Sequence, residues 1–116
     1  MAKTQKQIKG EKAEQLAVEY YETKGFEVVE RNYRWSRAEI DLIIMKPQLL
    51  VFVEVKYRTN MNYGNPEDFV SPNQQRSIIE AADDYIHAIN WVKDIRFDII
   101  AINRQNQLEH FEDAFY

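Results

Sequence analysis

Three charged residues near the middle of the chain, Asp41, Glu54 and Lys56, stand where strand geometry alone can bring them together. Glu39 to Met45 and Leu49 to Tyr57 are rich in β-formers and separated by a turn signal, Pro47-Gln48, which predicts an antiparallel hairpin. With a loop of even length Lys46 faces Leu49, so Asp41 faces Glu54 and Glu39 faces Lys56. Directly opposed residues share a face of the sheet, with Cβ atoms about 4.5–5.5 Å apart. Glu39 with Lys56 is an ordinary cross-strand ion pair. Asp41 with Glu54 is not, because facing like charges destabilise a sheet. Two carboxylates so close need a shared proton or a cation between them. Hard oxygen ligands select Mg²⁺ or Mn²⁺ over zinc.

A plainer pattern competes with this one. Glu54, Lys56 and Arg58 alternate with Val53, Val55 and Tyr57, as a solvent-facing row would. An odd loop length would also shift the register and dissolve the carboxylate pair. Against the plain reading, Leu50 and Phe52 share the face of Glu54, and Ile43 shares the face of Asp41, so neither face is properly polar.

The surrounding elements read as follows. Gln7 to Lys24 carries Ala13, Leu16, Ala17, Tyr20 and Tyr21 at three-to-four spacing, an amphipathic helix stopped by Gly25. Phe26 to Arg31 begins a strand. The polar stretch from Asn60 to Asp68 is read as a loop that could order on a substrate. Ser71 and Pro72 open a second helix, with Gln74 as the capping partner of Ser71 and Ile78, Ala81, Ala82, Tyr85, Ile86 and Ile89 as its buried face. Arg96 to Ile102 is a further strand, on which Arg96 and Asp98 share a face and form a structural pair, and Gln107 to Phe111 a short last one. The order is α-β-β-β-α-β-(β), an α/β domain with a mixed sheet flanked by helices, one domain over residues 1–116.

Composition narrows the function classes. The chain has 116 residues, 45% hydrophobic and 29% charged, and no cysteine, which removes disulfide frameworks, zinc fingers and thiol nucleophiles. Leu49 to Val55, its longest mainly apolar run, is too short to cross a membrane, and a cytoplasmic protein without a membrane partner is expected. With only Gly10, Gly25 and Gly64 there is no Gly-rich phosphate loop or serine elbow. His87 and His110 are too far apart in sequence to suggest a site. Net charge is −4, against the usual footprint of a nucleic-acid partner. Residues 31 to 58, however, hold six basic residues and three acids. Arg31, Arg34, Arg37 and Arg58 interleave there with Tyr33, Trp35 and Tyr57, which suits phosphate contact and base stacking, though strand aromatics also serve as packing.

Asp41 followed by Glu54-Val55-Lys56 resembles the D…(D/E)-x-K core of the restriction endonuclease-like superfamily. Gly10, Glu14, Ala17, Gly25, Asn32, Glu39-Ile40-Asp41-Leu42-Ile43, Phe52 to Lys56 with Arg58, and Arg96-Phe97-Asp98 extend the match over nearly the whole chain. Together they resemble the YraN family of small bacterial proteins, placed with nucleases by fold similarity, close to archaeal Holliday junction resolvases. The resemblance implies a restriction endonuclease-like core and a Mg²⁺- or Mn²⁺-dependent endonuclease acting on DNA, branched DNA included, with RNA left open. Asp41, Glu54 and the Val55 carbonyl would hold the metal and Lys56 would orient water or screen phosphate. Glu14 would add a carboxylate from the first helix, a solvated helix residue being the plain alternative. Resolvase-like enzymes use two sites for two strands, so a homodimer is compatible.

Two positions depart from the family pattern. Ala38 stands where the family usually has Gly, and Gln74 where it usually has Lys. Gln74 and the acidic balance favour a first alternative, a nucleic-acid-binding module without turnover. A second is a protein-interaction domain whose carboxylate cluster is vestigial or structural.

Overall fold

Thr4 starts the first helix. Its hydroxyl accepts from the Gln7 amide while the Gln7 side chain accepts from the Thr4 N–H, a complete capping box. The computed structural model describes residues 2–58 and 68–116, so the stretch from Asn60 to Glu67 and Gly64 within it lie outside the described residues. Helix α1 runs Gln5–Thr23 and ends on Gly25, whose φ of +88° is the left-handed stop a glycine accepts without strain. Strands β1 (Glu27–Trp35), β2 (Ala38–Lys46) and β3 (Leu49–Tyr57) follow, then α2 (Pro72–Ile89), β4 (Asp94–Ile102) and β5 (Leu108–Phe111). The sequence-based order is therefore met element for element.

The sheet runs β1-β2-β3-β4-β5. Neighbours are antiparallel except β3 and β4, which are parallel and joined through α2. A parallel pair needs such a crossover, and the helix it supplies covers one face of the sheet. Leu50 and Phe52 of β3 pack toward α2 with Ile78, Ala81, Ala82 and Tyr85. Val51 and Val53 pack toward α1 with Ala13, Ala17, Val18 and Tyr21. A strand covered on both faces reads as a continuous apolar run, and β3 does until Glu54.

The hairpin register is the expected one: Lys46 opposes Leu49 and the ladder runs to Leu42 opposite Val53. Beyond it the strand changes face. Ala38 and Ile40 belong to the core under α2, whereas Leu42 and Ile44 belong to the core under α1. A regular strand would hold all four on one face, so the pleat reverses at Asp41. Across β1 the reversal falls between the pairs Arg31–Leu42 and Tyr33–Ile40, where Asn32 adopts φ +51°. Asparagine tolerates that left-handed conformation better than most residues. Ala38, by contrast, has no positive φ and its methyl is buried, so the strand entry makes no use of a glycine.

The far side of the sheet is tied by one buried anion. Asp98 is 0% exposed and accepts from Arg96 at 2.8 and 3.0 Å, the Tyr21 hydroxyl at 2.8 Å and the Asp113 amide at 3.0 Å. His110 lies 2.7 Å from the same carboxylate and 2.8 Å from the Tyr20 hydroxyl. The Arg96–Asp98 pair read from the sequence is present. Burial alone would raise the Asp98 pKa; the hydrogen bonds from His110, Arg96, Asp113 and Tyr21 outweigh it and hold the carboxyl at about 2. A pKa below the unfolded 3.8 means stability that is present above pH 4 and lost as pH falls toward 2. Asp98→Asn is expected to cost about 3–5 kcal/mol at pH 7, since it removes the fully buried anion that Arg96, His110 and Tyr21 meet and leaves the half-buried Arg96 only Glu112. The same change should flatten the acid limb of a urea-denaturation series between pH 4 and 2; an unchanged acid limb would remove Asp98 as its source.

Candidate functional site

Where β2 reverses, the Asp41 side chain takes over a main-chain role. Its Oδ2 accepts from the Val55 amide at 2.8 Å, past the last ladder pair. One carboxylate oxygen is thereby committed to β3. On a β-strand a residue's N–H and C=O point to the same neighbour, so the Val55 carbonyl faces this gap as well.

Glu54 enters the gap from β3 and is 6% exposed. Its pKa is raised far above the usual carboxylate range by burial first, then by a hydrogen bond and Coulomb repulsion from Asp41, with Lys56 opposing and Glu39 adding to the rise. At neutral pH this favours the protonated form of Glu54, which answers the sequence geometry's call for a shared proton or a cation by the first of the two.

Gln74 is the residue that the sequence reading misplaced. Its backbone N–H is capped by the Ser71 hydroxyl at 3.2 Å, as expected. The side chain, however, serves the site: Nε2 donates to Glu54 Oε2 at 2.9 Å, and Oε1 accepts from Lys56 Nζ at 3.5 Å. Lys56 is correspondingly not paired with Glu39. That carboxylate lies 3.0 Å from Arg34 instead, because the pleat reversal takes Glu39 away from its notional partner on β3.

Glu14 reaches the same region from α1. Its pKa rises to about 7 through burial and through repulsion from Asp41 and Glu39, against a hydrogen bond from Asn32 and the charge of Arg31. Asn32 thus does two things: it reverses the strand and anchors Glu14. The residue type at a left-handed position was a visible signal for the first and gave none for the second.

The cleft over these groups, about 340 Å³, is lined by Arg37, Glu39, Asp41, Glu54, Gln74 and Ser77 among others. Of the four arginines proposed for nucleic-acid contact, only Arg37 lines it. Arg31 donates to Gln15, Arg34 is tied to Glu39, and Arg58 donates to the Phe69 carbonyl. They do not form one patch. His87 and His110 stay apart, one on α2 and the other beside Asp98.

Among the described residues, no group of three or more His, Cys, Asp or Glu side chains is arranged to hold a metal ion. Two carboxylates and a carbonyl nonetheless suit Mg²⁺, which keeps several waters and takes one or two protein carboxylates. The buried proton between Asp41 and Glu54 marks where a cation would relieve repulsion.

The family described as "Uncharacterised protein family UPF0102" matches residues 13–102. A UPF0102 protein of Flavobacterium psychrophilum is 41% identical over 110 residues, covering 92% of each chain. One of Christiangramia forsetii is also 41% identical over 110 residues, with 92% of each chain covered. Among solved structures, Pyrococcus furiosus SfsA in complex with Ca²⁺ matches at 13% identity and a TM-score of 0.36; the match covers 93% of this chain and 63% of that one.

Because the Glu54 pKa is raised on folding, its contribution to stability is full below the unfolded value of 4.5 and declines as pH rises, by about 1.4 kcal/mol per unit. Glu54→Gln keeps both hydrogen bonds and removes the ionisation. Thermal unfolding from pH 5 to 9 should show the variant more stable than wild type above pH 6, with a flatter slope. Parallel curves would mean that Glu54 is not protonated in the folded chain.

Proposed function

The chain belongs to the uncharacterised family UPF0102, and from its site we propose that it is a divalent-metal-dependent endonuclease with a restriction endonuclease-like core, hydrolysing phosphodiester bonds in DNA. The observation that supports this most is the convergence of Asp41 and Glu54 at one gap with Lys56 at its rim. A structural hairpin gains nothing from burying two facing acids; a site that must hold a cation against a phosphate does.

Asp41, Glu54 and the Val55 carbonyl are the groups that would hold Mg²⁺ or Mn²⁺. Once bound, such an ion neutralises charge developing on a phosphate oxygen and lowers the pKa of a coordinated water. The Val55 amide fixes Asp41, leaving Oδ1 for the ion. Gln74 orients Glu54 through one oxygen. Lys56 keeps three donors on a flexible stem, held among the described residues by the long contact to Gln74, so its ammonium can turn to a phosphate oxygen or a water. Glu14, with a pKa of about 7, can take up and return a proton near neutral pH. Two copies of the chain would present two such sites to the two strands of a branched duplex.

One observation favours the binding module without turnover. Gln74 is neutral: it donates one hydrogen bond to Glu54 but brings no positive charge to offset burial and Asp41. A lysine there would pull the Glu54 pKa down and ready the site for metal at lower pH.

Calorimetric titration of Mg²⁺ or Mn²⁺ near pH 7 in buffers of different ionisation enthalpy should show about one proton released per ion, the Glu54 proton. Asp41→Ala should abolish the binding heat. On linear, flapped and four-way DNA, wild type should give metal-dependent product, reduced about 100-fold or more by Asp41→Ala or Glu54→Gln. Salt-dependent binding with no product on any substrate would replace this reading with the binding module. Gln74→Lys should move the Glu54 carboxyl titration, followed by ¹³C NMR, to lower pH; an unmoved titration would detach Gln74 from the site's electrostatics.

A further inference from the structure

Helix α1 begins two turns before it has anything to pack against. Its buried residues are Ala13, Ala17, Val18 and Tyr21, and no residue from Gln5 to Lys12 is buried. A short helical extension without a core face gains little from propensity alone. This one carries Lys6, Lys9 and Lys12 at three-residue spacing, one stripe along the helix.

The stripe borders two adjoining clefts. One, of about 530 Å³, is lined by Lys6, Lys9, Gly10, Val55, Lys56, Tyr57 and Arg58. The other, about 310 Å³, includes Lys9, Lys12, Tyr57 and Arg104 in its walls. Among the described residues no carboxylate lines either, in a chain whose net charge is −4. The acid on this stretch of helix, Glu11, is held by Lys3 at 2.8 Å. Among the described residues, none of Lys6, Lys9, Lys12 and Arg104 is held in an ion pair.

One further feature points to a ligand. Gly10 sits in the cleft wall, and a Cβ there would meet nothing within 4 Å. Mid-helix glycine costs roughly 1 kcal/mol against alanine, and packing does not explain it. A bare backbone lets a ligand approach the helix closely.

We infer that the cleft between the α1 lysine stripe and the end of β3 holds the phosphodiester backbone of a polynucleotide next to the bond at Asp41 and Glu54. Val55 and Lys56 line this cleft and also touch the acidic one: the Val55 amide donates to Asp41 and Lys56 Nζ to Gln74, so the track ends beside the acidic gap. Lys6 to Lys12 spans about 9 Å along the helix, the axial length of roughly three phosphates of one strand. Tyr57, with Lys9 Nζ 5.6 Å from its ring centre, offers a base a stacking face. The inference rests on a nucleic-acid substrate as proposed above; of Arg31, Arg34, Arg37 and Arg58 it keeps Arg58, which lines the cleft, and makes the α1 lysines the main source of affinity.

The test uses fluorescence anisotropy with labelled single-stranded and duplex oligonucleotides in chelator, so cleavage plays no part. The lysines are exposed, and K6A/K9A should fold as wild type by circular dichroism. It should weaken binding about 10-fold or more at ~0.1 M salt and make the slope of log affinity against log salt shallower by about 1.5–2. K24A/K46A, on a cleft at the other end of the sheet, should leave both within about 2-fold. Unchanged affinity and slope in K6A/K9A would overturn the inference. Displacement of the oligonucleotide by inorganic phosphate at equal phosphate concentration would overturn it too, in favour of a small-anion site. A wild type that binds through these lysines yet never cuts removes only the hydrolytic reading. One that cuts while K6A/K9A keeps its affinity removes only this inference.

Discussion

Two carboxyl groups on adjacent strands, forced together inside the molecule, are the constraint around which the rest is arranged. The hairpin register brings Asp41 toward Glu54, and at the point where β2 reverses its pleat the Val55 amide recruits Asp41 as an acceptor. The repulsion is relieved by a proton on Glu54, by the amide of Gln74, and at a distance by Lys56. Each of these is a different kind of solution to one problem, two supplied by β3 and one by α2. Without the reversal a regular ladder would still set Asp41 against Glu54, but Glu39 would face Lys56 instead of meeting Arg34.

The reversal itself is inexpensive because it is shared. Asn32 adopts φ +51° on β1 at the same level, so the two strands switch faces together and keep their register from Arg31–Leu42 to Tyr33–Ile40. On one side of the switch the hairpin feeds the α1 core; on the other it feeds the α2 core. The site therefore sits at the seam between two cores, where both helices can send a side chain into it: Glu14 from α1 and Gln74 from α2. At the opposite end, the Asp98 network ties α1, β4, β5 and the C-terminal segment, which keeps α1 in place against the sheet.

What could be read in the residues was what depends on period and on turn length. The element order, the two-residue turn and the resulting register all follow from local chemistry, and so does the Arg96–Asp98 pair, whose members are two apart on one strand. What could not be read depends on where a long side chain goes once three dimensions exist. Gln74 has two uses, a capped amide and a side chain free to go elsewhere, and the capping pattern accounts for only the first. The Glu39–Lys56 pair fails because an alternating pattern assumes an unbroken pleat, and the break is spelled only by a single Asn. His110 carries no spacing signal; its partners Tyr20 and Asp98 lie 90 and 12 residues away. The α1 lysines look like a solvated helix start until β3 places Lys56 and Arg58 beside them.

Position 74 then governs where the charge of the gap resides. With an amide, burial and Asp41 favour a protonated Glu54 and a net charge of −1 on the pair, which repels a phosphate less than two ionised acids would. An ammonium there would favour an ionised Glu54, trading a proton for a fixed cation at the same net local charge. For the metal proposed above, the two arrangements would differ in what the ion has to displace. In the first it would have to expel a proton, so its affinity would rise with pH. In the second it would have to tolerate a neighbouring cation, so its affinity would be lower but nearly independent of pH. On that proposal Gln74 would make the site's readiness a function of pH without altering the ligands themselves, and Glu14, with its pKa of about 7, would steepen that dependence over the same range.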